Sequence, residues 1–261
     1  MSESLIVFCR EWAVTVALTG YLAPVYPRHV MPVHGLAQLT QILQAYPRMP
    51  VVLGLYPHEH VVNLYRLQPL LAGRTVLFVG RCFYWTDYNL PEWLALKRYG
   101  FCTWDAMQDP LSRRMELRRF SHLCVYEKDE EDDSVGKPLS LSPAFPHMTE
   151  RLVLERANRW LYRELPANGL TGNEIQVLSL MTEGRKGNMP IRTRSLHKNN
   201  GLYKLGMTKH LIALYRGVKV RPELQSRLTL QIEGNEESDT DEKSGHSAQR
   251  LLVQGAVIQP D

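Results

Sequence analysis

The sequence predicts two unlike parts, an α/β domain with a parallel sheet over residues 1–126 and a small all-α domain over residues 148–227. Short apolar runs of strand length recur through the first part, and stretches with apolar residues at helical spacing separate them. Residues 127–147 are acidic and then rich in Pro and Ser, a composition that cannot bury a core, so they are predicted to be a linker. Residues 228–261 are predicted to be an acidic, disordered tail.

Strand and helix signals alternate along the first part. The predicted strands or extended stretches cover residues 5–9, 25–33, 51–55, 74–79 and 101–104. The predicted helices cover residues 12–21, 36–45, 61–71, 91–99 and 112–119, with Pro91 at the start of the fourth and Ser112 capping the fifth. Roughly five βα units in one such domain predict a parallel sheet covered on both faces, and this count is typical of a flavodoxin-like fold.

The second part shows clear helix boundaries. Thr149 is expected to cap a helix that runs to about Leu165. Thr171, followed three residues later by Glu174, has the spacing of a capping box. Ile175, Leu178 and Met181 then repeat at helical spacing, and Gly184 is expected to end this helix.

Charge is unevenly distributed although the whole chain carries a net charge of only +4. From residue 150 to residue 227, Lys and Arg outnumber Asp and Glu by 15 to 6. Acidic stretches at residues 127–133 and 233–242 flank this basic region. A basic domain of this kind favours a polyanionic partner.

Several function classes lack a matching motif. No apolar run has the length of a membrane-spanning helix, the first residues do not have the pattern of a secretory signal, and no membrane partner is expected. None of the four cysteines lies within three residues of another, so they are expected to be small buried side chains in a cytoplasmic protein. We find no phosphate-binding loop and no nucleophile–base spacing, and we expect no enzymatic activity, cofactor or metal. His58 and His60 are expected in a solvated loop, with a two-histidine metal site as the alternative. Phe83, Tyr84 and Trp85 are expected in core or loop packing, and the alternative is a partner surface that also includes Tyr88.

The first part resembles the receiver domain of bacterial response regulators. Residues 51–57, VVLGLYP, look like the third strand of that family and its proline turn. The family carries a phosphate-accepting aspartate at the end of that strand, and an acidic pair after the first strand holds magnesium. Here the acceptor position falls on Gly54 or Leu55, and only Glu11 lies near the acidic pair. The resemblance therefore implies a degenerate receiver-like domain with no aspartyl phosphorylation and no magnesium.

The second part resembles the helix-turn-helix domain of the LuxR/FixJ/UhpA-type transcription regulators. Residues 170–184, LTGNEIQVLSLMTEG, are similar to its first helix, and residues 193–207, TRSLHKNNGLYKLGM, to its recognition helix. Residues 208–215 look like its last helix, capped by Thr208. Residues 185–192 are too few for the family's bracing helix, Arg194 stands where an apolar residue normally packs inward, and Gly201 lies within the recognition helix.

This second resemblance implies a bacterial DNA-binding transcription regulator with its recognition helix in the major groove. Ser195, Leu196 and Asn199 would face bases; Asn199 could hydrogen-bond a base edge and Leu196 could touch a thymine methyl. Side chains of Arg192, Arg194, Lys198, Lys204 and Lys209 would bind phosphates. The full set of expected DNA-binding residues is Arg192, Thr193, Arg194, Ser195, Leu196, His197, Lys198, Asn199, Lys204 and Lys209.

Partners follow from the same resemblance. Leu211, Ile212 and Tyr215 would form the interface of a homodimer, or of a heterodimer with another response regulator. Double-stranded DNA is the expected ligand, and RNA polymerase is a further candidate partner. The alternative is an interaction protein that modulates a partner response regulator without binding DNA directly, because the bracing helix is shortened or absent.

Overall fold

Five parallel strands form one sheet in the order β2-β1-β3-β4-β5. The computed structural model describes residues 4–25, 29–125, 148–185 and 187–226, so the predicted linker and tail lie outside the described residues. The strands are β1 Ser4–Cys9, β2 His29–Val33, β3 Val51–Gly54, β4 Thr75–Gly80 and β5 Arg98–Thr103. This is the flavodoxin-like strand order, so the predicted α/β class is confirmed.

Six helices connect or follow these strands in the described residues of the first part. They are α1 Trp12–Leu22, α2 Leu36–Ala45, α3 Val61–Leu71, α4 Trp85–Trp93, α5 Trp104–Gln108 and α6 Pro110–Val125. The predicted bounds of α2 and α3 are confirmed. A short 3₁₀ turn, Pro57–Glu59, lies between β3 and α3. No helix in the described part of the chain is long and apolar enough to cross a membrane.

The sheet has a core on each face because neighbouring side chains of a strand point in opposite directions. Leu5 and Val7 of β1 belong to a core that also contains Leu18 of α1 and Phe120 of α6. Ile6 and its neighbours on the other face pack with residues of α2 and α3. The unbroken apolar runs of β1, β3 and β4 follow from this double coverage.

The fourth helix differs from its prediction. Residues 91–99 were expected to be helical with Pro91 at the start, but α4 covers Trp85–Trp93 and Pro91 lies inside it. The backbone N–H of Tyr84 donates to Oδ2 of Asp87 at 2.9 Å, which caps the helix six residues before the predicted start. Proline has no backbone N–H group to donate. Because Pro91 lies near the end of this nine-residue helix, only one backbone hydrogen bond of its last turns is lost.

The end of the first part also needs correction. The last strand is Arg98–Thr103 and not residues 101–104, and α6 extends to Val125 and not to about Arg119. Ser112 does not cap α6; instead its backbone N–H donates to Oδ2 of Asp109 at 2.7 Å. Pro110, which needs no N–H partner, occupies the first helical position.

Four helices make up the described second part, α7 Glu150–Glu164, α8 Gly172–Thr182, α9 Ile191–Lys204 and α10 Leu211–Gly217. The backbone N–H of Leu152 donates to Oγ1 of Thr149 at 3.4 Å, so the predicted cap of α7 is confirmed. A 3₁₀ turn, Pro222–Leu224, follows α10.

The core of the helical part includes side chains from the α/β part. Val61 and Val62 of α3, with Trp85 and Leu90 of α4, are buried in one apolar cluster with residues of α7, α8, α9 and α10. We call this contact between α3 and α4 on one side and the helical part on the other the seam. The described residues of both parts accordingly fall within one compact unit.

Polar contacts reinforce the seam. Arg216 Nη1 of α10 lies 2.9 Å from Oε1 of Glu59. Nε2 of Gln225 donates to the carbonyl of His58 at 2.8 Å, and Oε1 of the same amide accepts from the backbone N–H of Val61 at 3.1 Å. Ser226 N–H donates to the carbonyl of Glu59 at 2.8 Å. The chain after α10 therefore pairs with the backbone at the start of α3.

Candidate nucleic-acid interface

The first helix of the candidate interface, α8, begins at the predicted capping box. The backbone N–H of Thr171 donates to Oε2 of Glu174 at 2.7 Å, and Oγ1 of Thr171 accepts from the backbone N–H of Glu174 at 3.4 Å. The helix ends at Thr182, and Gly184 follows with a φ of +71°, which glycine adopts without strain. Leu178 of the predicted apolar stripe is fully buried against α9.

The connection from α8 to α9 is short. Between Thr182 and Ile191, the described residues, which leave out Lys186, contain no helix. Gly187 has a φ of +62° and Pro190 is the N-cap of α9. The helix that follows begins at Ile191, two residues before the predicted start, so Arg192 lies within its first turn.

Helix α9 has one buried face and one exposed face. Gly201, Leu202 and Leu205 at its end are buried. At about 100° per residue, Arg192, Leu196, Asn199 and Tyr203 fall within about 60° of one another on the opposite side. All four are exposed, with Leu196 57% and Tyr203 83% accessible. We call these four residues the outer arc of α9.

The expected DNA-binding residues divide between these faces. Arg192, Thr193, Ser195, Leu196 and Asn199 are exposed. By contrast, Arg194, His197 and Lys198 are half-buried on the inward side. Arg194 lines a groove of about 240 Å³ between α8 and the chain before α9. Lys209 is exposed in the turn before α10, and its carbonyl lies 3.5 Å from Nζ of Lys198.

Tyr203 is the member of the outer arc that sequence reasoning missed. It is the most exposed large apolar side chain among the described residues. The signal was present in the sequence, because Tyr203 follows Asn199 by four residues and so lies on the same helical face. The recognition-helix motif predicts no DNA contact at the position of Tyr203.

Lys204 forms an ion pair and a hydrogen bond with other residues of the helical part. Its Nζ lies 2.8 Å from Oε2 of Glu174 and donates to the carbonyl of Gly169 at 3.0 Å. Burial raises the pKa of Glu174, but hydrogen bonds from Lys204 and Thr171 outweigh that effect and hold the pKa below its ordinary value. This ion pair joins the end of α9 to the start of α8, which is a structural task and differs from the phosphate contact expected of Lys204.

Gly201 explains how α8 and α9 pack without a bracing helix between them. A Cβ atom added at Gly201 would lie 2.9 Å from Cδ1 of Leu178 and 3.3 Å from its Cγ. Glycine therefore allows the backbone of α9 to approach α8 directly. Gly201, which departs from the family's recognition helix, therefore lies where α9 packs against Leu178 of α8.

The last helix begins later than predicted. Residues 208–210 are not helical, and the N-cap of α10 is His210 and not Thr208. Leu211, Ile212 and Tyr215 are 69%, 50% and 39% exposed and line one groove. Arg221 stacks over the Tyr215 ring at 4.0 Å, and the Tyr215 hydroxyl donates to Glu223 at 3.1 Å. An apolar surface therefore exists at the three residues expected in a dimer interface.

Cys9 fills the carboxyl edge of the sheet at Gly54, one of the two positions that correspond to the phosphate-accepting aspartate of the receiver family. The Cys9 thiol donates to the carbonyl of Gly54 at 3.0 Å, and burial raises the pKa of this thiol. A Cβ added at Gly54 would lie 2.9 Å from Cβ of Cys9. A longer side chain at Gly54 would thus have to displace Cys9.

The two histidines are not in a solvated loop, so that prediction is wrong. His58 and His60 are 1% and 6% exposed. The backbone N–H and the ring Nδ1 of His58 both lie 2.8 Å from Oδ1 of the fully buried Asp87. Burial lowers the pKa of His60 to about 4, and its Nδ1 contacts the carbonyl of Tyr56 at 3.1 Å. Both rings therefore belong to the packed structure beside the seam.

The cysteines and the aromatic run follow their predictions in part. Cys9 and Cys102 are buried and Cys124 is half-buried, but Cys82 is exposed, so the prediction is wrong for that residue. Trp85 is buried at the seam and Phe83 is half-buried, as core packing requires. The described residues contain no group of three or more metal-ligating side chains close enough to hold one ion.

Comparison with known proteins gives one structural similarity. No protein-family model matches the chain, and no curated protein matches it. A crystal structure of full-length FixJ from B. japonicum is 15% identical, and the match covers 82% of this chain and 94% of FixJ with a TM-score of 0.34. A similarity this low transfers no function to the chain.

Proposed function

We propose that this chain is a bacterial DNA-binding transcription regulator that places α9 in the major groove of duplex DNA. The observation that carries the proposal is the outer arc of α9, which is exposed while the opposite face of the same helix is buried against α8. An α-helix fits the major groove, and outward side chains then reach base edges. The motif resemblance of residues 170–207 supports the same role.

Charge supports a polyanionic ligand at this helix. The sequence of α9, IRTRSLHKNNGLYK, contains two Arg and two Lys but no Asp or Glu. Lys204 is paired with Glu174, and we leave it out of the proposed DNA contacts. Arg192 and Lys209 are exposed near the two ends of the surface and would bind phosphates.

Regulation by this protein does not use aspartyl phosphorylation in our proposal. The packing of Cys9 against Gly54 supports this, because no carboxylate and no space for one exist at that position. The α/β part would instead hold the helical part through the seam. We further propose that the regulator acts in the cytoplasm without enzymatic activity or a cofactor, and that RNA polymerase is a candidate partner.

Dimerisation is the proposed use of the apolar surface on α10. Leu211 and Ile212 are at least half exposed on a short helix whose other face is buried against α8 and α4. A second copy of this chain, or another response regulator, would cover them and pair two DNA half-sites.

DNA selection with the full chain, followed by fluorescence anisotropy at several salt concentrations, tests the proposal. We expect a recovered sequence motif and an affinity that falls steeply with salt. Asn199→Ala should weaken binding mainly at that motif, whereas Arg192→Ala should weaken binding to all duplexes and reduce the salt slope by about 1. Asn168→Ala and Arg114→Ala, at exposed positions outside α9, are the matched controls.

One observation favours a second candidate function. The described residues between α8 and α9 contain no bracing helix, so the unit could meet DNA differently from other helix-turn-helix domains. The second candidate is an interaction protein that captures a partner regulator. A folded full chain with no enriched motif and no salt-dependent DNA binding would favour it over the first.

A further inference from the structure

We infer that two copies of this chain pair through the outer face of α1, in the α/β part. The exposed residues of this helix form the face, and they are Trp12, Ala13, Val16, Ala17 and Gly20. We call this set the α1 face. It is separate from the apolar surface of α10, and the pairing that it supports requires no DNA.

The composition of α1 is unusual for a helix with one side in water. No residue from 12 to 25 is charged, whereas a surface helix normally carries charged or polar side chains on its outer side. The hydroxyls of Thr15 and Thr19 do not make that side polar, because they donate to backbone carbonyls at 3.2 Å and 2.8 Å. Leu18 and Leu22 are fully buried on the inner side. The helix is therefore apolar on both sides, which indicates that a partner covers the outer one.

The α1 face combines large side chains with open space. Trp12 is 68% exposed and Val16, one turn later, is 47% exposed. At about 100° per residue, all five residues of the face fall within about 140° of one another. A Cβ atom added at Gly20 would meet nothing within 4 Å, so the surface there has room for a bulky side chain. The face is thus raised near its start and low near its end.

A second copy of the chain fits this surface by shape. Two helices related by a twofold axis perpendicular to them run antiparallel and present the same residues to each other. With the axis at Val16, Trp12 of one copy lies opposite Gly20 of the other, because both residues are about 6 Å along the helix from Val16. Each bulky ring then meets the open surface at a glycine.

Charge also favours a second copy over other partners. The α1 face has no charged residue, so it neither attracts an acidic or basic protein nor repels a copy of itself. Nucleic acid is disfavoured for the same reason, because its phosphates bind to basic surfaces.

The area of the α1 face indicates a weak and reversible pair. The face presents about 400 Å² on each copy, so a pair buries about 800 Å², which is less than the roughly 1,200–2,000 Å² of stable complexes. Helix α6 packs beside α1, with the Arg113 guanidinium 5.0 Å from the Tyr21 ring, and it adds Leu111 and Met115, which are 72% and 58% exposed. We therefore expect a dissociation constant on the order of 10 μM.

Sedimentation velocity of the full chain without DNA tests the inference. Between about 1 and 100 μM, we expect the sedimentation coefficient to rise from that of a monomer to that of a dimer. Ala17→Glu places a charge beside the twofold axis and should weaken pairing by at least about 100-fold, because like charges of the two copies then meet. Trp12→Ala should weaken pairing by about tenfold, through loss of the ring contacts.

A mixture of two variants tests whether the two copies meet face to face. Ala17→Lys alone should weaken pairing as Ala17→Glu does. An equimolar mixture of these variants should pair again, because opposite charges then lie beside the axis. This recovery is expected only where equivalent positions of two copies are in contact.

Two further variants control the interpretation. Ala45→Glu makes the same change at an exposed alanine at the end of α2 and should pair as the natural protein does. Ile212→Glu changes the apolar surface of α10. Pairing that is lost in Ile212→Glu and kept in Ala17→Glu would assign self-association to α10 and overturn the inference. Circular dichroism of each variant establishes that it is folded.

The outcomes separate this inference from the proposed function, because DNA binding by the same variants is measured independently of pairing. A full chain that stays monomeric up to about 100 μM would overturn the inference, and so would a mixture of the two Ala17 variants that stays monomeric. If the natural protein were monomeric and Ala17→Glu lowered its unfolding free energy, the face would be covered within one chain. Pairing that is lost in both Ala17 variants and recovered in their mixture supports the inference.

Discussion

The α/β part and the helical part differ in how they obtain a core. The sheet is covered on both faces and encloses two apolar clusters made from its own strands and helices. The helical part has one cluster, and that cluster includes Val61, Val62, Trp85 and Leu90 from α3 and α4. The part that carries the candidate DNA surface therefore depends on the other part for its packing.

The two parts also differ in where their polar groups point. At the carboxyl edge of the sheet, Cys9 is hydrogen-bonded to Gly54 and His58 to Asp87, so these groups are used within the fold. On α9, by contrast, the side chains of the outer arc are exposed. The comparison teaches that these polar groups of the α/β part are used within the fold, whereas the outer arc presents its side chains to solvent.

Expression of the two parts as separate chains should lower stability more than any of the single substitutions below. Each apolar side chain buried at the seam contributes about 1.5–3 kcal/mol, so loss of the four from α3 and α4 approaches the whole stability of a small domain. We expect residues 148–226 alone to show no cooperative unfolding transition by circular dichroism. Residues 1–125 alone should retain one, although at a lower midpoint than the full chain. An isolated helical fragment as stable as the full chain would contradict the shared-core interpretation.

Asp87→Ala should be the most damaging of the single substitutions considered. The change leaves three donors without their acceptor beside the seam, namely the backbone and ring N–H groups of His58 and the backbone N–H of Tyr84. We expect a loss of about 3–5 kcal/mol in urea unfolding of the full chain. Asp105→Ala, at an exposed position of α5, should change stability by less than about 0.5 kcal/mol. Equal effects of the two variants would argue against a structural role for Asp87.

Gly201→Ala tests the close packing of α8 on α9. The added methyl meets Leu178 at 2.9 Å, so we expect a loss of about 1–3 kcal/mol in the unfolding free energy. Gly172→Ala is the matched control, because nothing lies within 4 Å of its added Cβ. A second substitution, Leu178→Val, should recover part of the loss in Gly201→Ala. If Gly201→Ala were as stable as Gly172→Ala, the two helices would have to be further apart.

Lys204→Met should have the smallest effect, and it should depend on pH. The lowered pKa of Glu174 means that its carboxylate stabilises the fold above the ordinary value of 4.5 and loses this contribution as pH falls through the folded-state pKa. We expect Lys204→Met to cost about 1 kcal/mol at pH 7, and the difference from the natural protein to narrow below about pH 4.5. Lys97→Met, at an exposed position, should show no such narrowing. If the difference in unfolding free energy between Lys204→Met and the natural protein stayed constant as the pH fell, the effect would be due to lost packing and not to the ion pair.

Local features were determined by the sequence alone. The short apolar runs identified β1, β3 and β4, because a strand covered on both faces must be apolar throughout. Thr149 and the Thr171–Glu174 pair marked the starts of α7 and α8, since a cap depends only on residues within one turn. Those bounds were accordingly predictable without knowledge of the fold.

Features that join distant residues were decided only by the tertiary structure. Asp87 pairs with a histidine 29 residues away, and Lys204 with a carboxylate 30 residues away, and no spacing rule links such positions. The start of α4 was missed for a different, local reason, because Pro91 is a strong signal for a helix start and the capping box of Tyr84 and Asp87 was overlooked. Composition likewise did not show that α3 and α4 supply core residues to the helical part, since apolar side chains carry no information about their partners.

The outer arc of α9 depends partly on the sequence alone and partly on the tertiary structure. Helical spacing could place Arg192, Leu196, Asn199 and Tyr203 on one side, because 3.6 residues complete each turn. Which side faces outward was decided by α8, whose Leu178 packs directly on Gly201 and so fixes the rotation of α9 about its axis.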